Sequence, residues 1–144
     1  MCVILLFKFI SKTYQKGEAM KKQITTEKAP LPLGAYSQGL VINDRMYVSG
    51  QGPMDVTTGK MPNGIERQTT QVLKNIEAIL EAGGFSMADV VKSTVHLANM
   101  NDFMTFNETY IKHFPDILPV RTTVQSVLPG GKEMLVEIDV IAEK

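Results

Sequence analysis

The sequence predicts an α+β domain, a mixed and mostly antiparallel sheet of about six strands with two helices on one face. Three observations predict it. Short runs rich in β-branched residues flank two longer segments whose apolar residues recur at helical spacing. Clusters of Gly, Pro and Asn fall between those runs, where turns belong. The 144 residues, 44% of them hydrophobic, suffice for one domain around one core.

Residues 1–19 read differently from the rest. The apolar run Cys2 to Phe7 is broken by Lys8 and is far too short to cross a bilayer. Neither the charge pattern nor the cleavage site of a secretory signal is present. Lys16-Gly17-Glu18 can be encoded by a purine-rich ribosome-binding sequence just before Met20. The expectation is a translated leader on residues 1–19 and a single domain over residues 20–144; the rival is an amphipathic extension.

From Met20 the elements follow in order. Lys22 to Thr26 is a short strand, and Ala29 to Gly34 a Pro/Gly loop. Tyr36 to Ile42 and Met46 to Gln51 form a hairpin about Asn43-Asp44-Arg45. Met54 to Gly64 is loop. Ile65 to Ala82 is the clearest helix, with Ile65, Val72, Leu73, Ile76, Ile79 and Leu80 on one face and Gly83-Gly84 as its stop. Ser86 to Asp89 resembles a capping box. Val90 to Leu97 is a strand. A second helix runs from about Asn101 to Phe114, carrying Phe103, Phe106, Tyr110 and Phe114 along one face, and Pro115 closes it. Arg121 to Leu128 and Met134 to Ala142 are the last strands. The order is β-β-β-α-β-α-β-β. The apolar runs Val91, Val95, Leu97 and Val136, Ile138, Val140 suggest that another subunit covers the sheet face away from the helices.

Composition narrows the function. Fifteen basic residues balance fifteen acidic ones, with a pI near 6.7, which argues against a sequence-independent nucleic-acid binder, since that needs a basic stripe to displace counterions. Cys2 is the one cysteine, which supports neither a disulfide nor a thiolate metal site, and the compartment expected is the cytoplasm. Phosphate loops, metal-ligand spacings and nucleophile elbows are absent from the sequence. His96 reads as a strand packing residue and His113 as a dipole contact near a helix end. Glu137 and Asp139 alternate with apolar residues and share a sheet face, as a solvated edge would. Arg121 follows Pro119 at the mouth of a β-branched run. It is either an ion-pair partner, with Glu137 an obvious one, or a bidentate receptor for a carboxylate.

From Met20 onward the chain resembles the Rid (YjgF-type) reactive-intermediate deaminase family. The resemblance rests on pieces in register: Ala29-Pro30 with Gly34-Ala35-Tyr36-Ser37-Gln38-Gly39; Val48-Ser49-Gly50-Gln51; Ala82-Gly83-Gly84; Asn101-Asp102-Phe103 with Asn107 and Tyr110; and Pro119-Val120-Arg121 leading to Val136-Glu137-Ile138. It implies a chorismate-mutase-like subunit in a homotrimer, with pockets between subunits. It implies a cofactor-free, metal-free hydrolysis of 2-imino and enamine acids, released by pyridoxal-phosphate enzymes, to 2-oxo acids and ammonia. Carried over by position, Arg121 would hold the substrate carboxylate and Glu137 would position or activate water. Ser49 and Gly50 would line the pocket, Tyr36 would reach in from a neighbour, and Asn107 would support the wall. Thr123 stands where many members have cysteine, which keeps a hydrogen-bonding group in the binding site but removes the thiol. Asp139 is the fallback acid, because the turn from Pro129 to Met134 is longer than in many members. Two rival functions go with the same residues: a non-catalytic binder of 2-oxo acids or amino-acid-like metabolites, and RNA cleavage or translation inhibition.

Overall fold

The computed structural model describes residues 20–144, so the leader expected on residues 1–19 lies outside the described residues. The strands are β1 (Lys21–Ile24), β2 (Gly39–Ile42), β3 (Arg45–Gln51), β4 (Val90–Leu97), β5 (Val120–Gln125) and β6 (Val136–Glu143). The helices are α1 (Ile65–Ala82) and α2 (Phe103–Tyr110). One sheet runs in the order β1-β2-β3-β6-β4-β5. Every pairing is antiparallel except β4 with β5, which α2 connects as a crossover.

Local chemistry sets the boundaries. Asn43 takes φ 55° in the β2–β3 turn, a conformation that asparagine tolerates better than most residues. Gly84, at φ 82°, carries the chain out of α1 while the Phe85 N–H reaches back to the Leu80 carbonyl at 2.9 Å. The Ser86 N–H and hydroxyl both donate to the Asp89 carboxylate, at 2.8 and 3.0 Å, and a 3₁₀ turn over Met87–Asp89 follows. The second helix is shorter than its sequence pattern suggests. Its α-helical part is Phe103–Tyr110, and 3₁₀ turns at Met100–Asp102 and Ile111–His113 take up the rest. Tyr36 lies in a bend before β2, not in the strand.

The core is the layer between the helices and one sheet face. Val72, Ile76, Ile79 and Leu80 of α1 and Phe106 of α2 are fully buried there, against Met46, Val95, Leu97, Val136, Ile138 and Val140. Each fully buried aliphatic side chain of this kind contributes about 1.5–3 kcal/mol. This corrects the face assignment made from sequence. Val95, Leu97, Val136, Ile138 and Val140 are covered by the chain's own helices, so they argue nothing about a second subunit; Val91 is 42% exposed. A bulge between Val90 and Lys92 breaks the alternation at that point. The open face instead carries Tyr47, Thr94, His96, Glu137, Asp139 and Ile141, by register with the buried set. Nor is β6 an edge: it lies between β3 and β4, so Glu137 and Asp139 stand on a central strand. No helix among the described residues is long and apolar enough to cross a membrane.

Candidate functional site

The residues singled out from sequence fall into two groups. The first surrounds a cleft of about 490 Å³ whose lining includes Tyr36, Leu40, Ser49, Gly50, Glu137 and Asp139. Its geometry follows from an irregularity in β3. The β3–β6 register shifts between Val48 and Gln51, which swings Ser49 and Gly50 out of the ladder. The Ser49 N–H donates to the Gln38 carbonyl at 2.9 Å and its hydroxyl to the Ser37 carbonyl at 2.6 Å, which ties the loop before β2 to the bulge. Glu137 packs directly on the Gly50 backbone. A Cβ at position 50 would lie 3.1 Å from Glu137 Cδ, 3.3 Å from Cγ and closer still to Oε1. Glycine leaves room for that approach; its dihedral angles do not call for it.

The loop carrying Tyr36 is held from below by a buried amide. Gln38, 1% exposed, accepts from the Thr26 N–H at 2.7 Å and donates to the carbonyls of Thr26, Ala29 and Pro30 at 3.0, 3.2 and 2.8 Å. Tyr36 itself is half exposed, and its hydroxyl accepts from the Leu33 N–H at 3.4 Å.

The second group lies on the helix side of β5. Arg121 pairs in register with Ser93, and Thr123 with Val95, both of which face the helices. The Arg121 guanidinium donates to Asn107 Oδ1 at 2.7 Å and sits 4.8, 5.3 and 5.6 Å from the ring centroids of Tyr110, Phe106 and Phe103. The Tyr110 hydroxyl meets Ser93 Oγ at 2.6 Å; burial pushes its pKa up, against the opposing pull of Ser93 and Arg121. The hydroxyl of Thr123 is buried and has no hydrogen-bond partner among the described residues.

The two groups do not meet within one subunit. Glu137 is in register with His96 on the open face, whereas Arg121 is in register with Ser93 on the other face and β4 separates their strands. Within the subunit, the Arg121–Glu137 ion pair, one of the two readings of that arginine, is therefore not formed. The one salt bridge among the described residues is Arg45 to Glu143 at 2.9 Å, in solvent. His96 does more than pack: its Nδ1 meets Ser126 Oγ at 2.8 Å. His113 lies at the end of the 3₁₀ turn after α2 and is half buried, and desolvation pulls its pKa down more than the nearby Glu77 carboxylate raises it. Another hollow, of about 510 Å³ at the start of α1, holds none of the candidate site residues. No three His, Cys, Asp or Glu side chains among the described residues come together as metal ligands.

Sequence reasoning missed the Gln38 clasp and the aromatic surround of Arg121. The second had a signal, since Phe103, Phe106 and Tyr110 recur at i, i+3 and i+7. The first had none, because a lone glutamine before a strand reads as surface.

Comparison with known proteins agrees with this architecture. Residues 26–144 match the family model described as Endoribonuclease L-PSP. A RutC family protein of Saccharolobus solfataricus is 50% identical over 127 residues, 87% of this chain and 99% of that protein. The rat protein named 2-iminobutanoate/2-iminopropanoate deaminase is 44% identical over 125 residues, 85% of this chain and 90% of its own. The crystal structure of Escherichia coli TdcF with bound serine superimposes with a TM-score of 0.79 at 37% identity, covering 85% of this chain and 98% of that one. With its strand order, its two helices on one face and these relatives, the chain belongs to the Rid (YjgF-type) family.

Proposed function

We propose that the protein hydrolyses short-lived 2-imino and enamine acids, the products of pyridoxal-phosphate enzymes, to 2-oxo acids and ammonia in the cytoplasm. The observation that carries this reading is the separation of an unpaired arginine from a carboxylate-bearing cleft. Arg121 is a receptor for the substrate carboxylate that no carboxylate of its own described chain occupies. The cleft of Tyr36, Ser49, Gly50 and Glu137 supplies the water-handling half. In a homotrimer, Arg121 and Asn107 of one subunit face that cleft on the next, with Thr123 beside the arginine.

The chemistry asks for little. A protonated imine is already electrophilic, and the gain comes from holding its carbon beside an oriented water. Glu137 accepts a proton as water adds to the C=N carbon and returns it to nitrogen; as ammonia leaves, the carbinol hydroxyl gives its proton to Glu137, which passes it to solvent, and the 2-oxo acid remains. The similarity to the rat deaminase supports this reaction. The serine bound to the TdcF relative favours a second reading, a metabolite-binding protein without turnover, in which Arg121 serves equally well. RNA cleavage, suggested by the matched family description, sits poorly with the even charge balance.

The test couples threonine dehydratase to the protein and follows imine capture by semicarbazide. A concentration-dependent fall in captured imine is expected. Unchanged capture, with the protein still binding 2-oxobutanoate, would leave the binding reading in its place.

A further inference from the structure

Arg121 has an unusual setting for a receptor. One guanidinium nitrogen donates to Asn107, while the rings of Tyr110, Phe106 and Phe103 surround its central carbon at 4.8, 5.3 and 5.6 Å. Arginine side chains carry large rotamer entropy, and a cation over aromatic faces is both held in place and stripped of water. The nearest of the rings is itself locked, because the Tyr110 hydroxyl meets Ser93 Oγ at 2.6 Å inside the core. Tyr110 and Ser93 are buried and Phe103 is partly so. The chain from sheet to guanidinium is therefore Ser93, Tyr110, Arg121, with the Phe103 and Phe106 rings completing the surround.

We propose that Tyr110 and Phe103 are positioning residues for Arg121, fixing the plane of its guanidinium so that its remaining donors face an incoming carboxylate. This rests on the reading of Arg121 as the carboxylate receptor. The device raises affinity selectively for ligands with a carboxylate at that point, since a neutral group gains little from an oriented, partly desolvated cation. It also makes lysine a poor replacement, because a point charge lacks the planar face that the rings hold.

The experiment measures binding of 2-oxobutanoate and of its neutral amide to the wild type, Phe103→Leu, Tyr110→Phe, Tyr110→Leu and Arg121→Ala. Wild type should prefer the acid. Phe103→Leu and Tyr110→Leu should each weaken acid binding about three- to thirtyfold while leaving the amide within about twofold, and Tyr110→Phe, which keeps the ring, should fall between them and wild type. If Tyr110→Leu does not fold, Phe103→Leu reads the same preference from a site at the helix start. An unchanged acid-to-amide ratio in the folded ring variants, with acid binding lost in Arg121→Ala, overturns the positioning role and leaves the receptor standing. Wild-type acid binding by Arg121→Ala removes the receptor itself, and the positioning role with it.

Discussion

Replacing Gly50 by alanine probes the contact that ties β3 to the acid. A Cβ there lands 3.1 Å from Glu137 Cδ and nearer to Oε1, against an ordinary separation of about 3.5–4.0 Å. The carboxylate must retreat by about 1 Å. A displacement of that size at a water-orienting group costs about 10²-fold in rate. Stability should hardly change, for two reasons. Glu137 is only half buried on an open face and can swing away, and Gly50 has no positive φ that alanine would strain. The reduced freedom of the unfolded chain returns about 0.4–1 kcal/mol. In the semicarbazide-coupled assay kcat should fall about a hundredfold with KM within a few-fold, while the urea midpoint holds. A Gly50→Ala enzyme with wild-type kcat would refute the role of Glu137 in handling water at this position.

Other perturbations follow from the same geometry. Asn107→Ala removes the hydrogen bond to the Arg121 guanidinium and should raise KM about tenfold or more with kcat little changed, since hydrogen bonds to charged groups are worth about 1.5–3 kcal/mol. An unchanged KM would count against it. Gln38→Ala strips partners from the backbone of Thr26, Ala29 and Pro30 and should cost about 2–3 kcal/mol in urea unfolding; a wild-type midpoint would show that the clasp adds nothing. His113 has a lowered pKa, so the unfolded chain takes up its proton first. The stability tied to its neutral form is complete above the ordinary value of 6.5 and declines as pH falls below it. His113→Gln should flatten that part of the urea-midpoint profile, and an identical slope in both proteins would assign the decline to other groups.

The sequence is most readable where one period dominates. α1 begins and ends where its apolar stripe and glycine stop place it, and β4 runs as expected from Val90 to Leu97. Reading failed where a face had to be chosen. Alternation in Val136, Ile138 and Val140 shows that they share a side, but not that their own helices lie over it. The same limit hid the separation of Arg121 from Glu137. Arg121 and Glu137 are both on strands in a plausible order, and only the register through Ser93 and His96 sets them on opposite faces. The 3₁₀ turns around α2 were illegible because the aromatic spacing runs on past Tyr110 while the hydrogen bonding changes. The resemblance puts Gly50 in the pocket lining; that Glu137 packs against it depends on the β3 bulge, whose register no sequence pattern gives.

Subunit complementation tests the central claim most directly. Arg121→Ala and Glu137→Gln, each inactive alone, are mixed by co-expression and assayed for imine hydrolysis. If the site joins Arg121 of one subunit to Glu137 of the next, random assembly leaves about one interface in four with both groups intact, and about a quarter of wild-type activity returns. If both groups serve the same site from the same chain, no mixed oligomer contains an intact site, and activity stays at the level of the single variants.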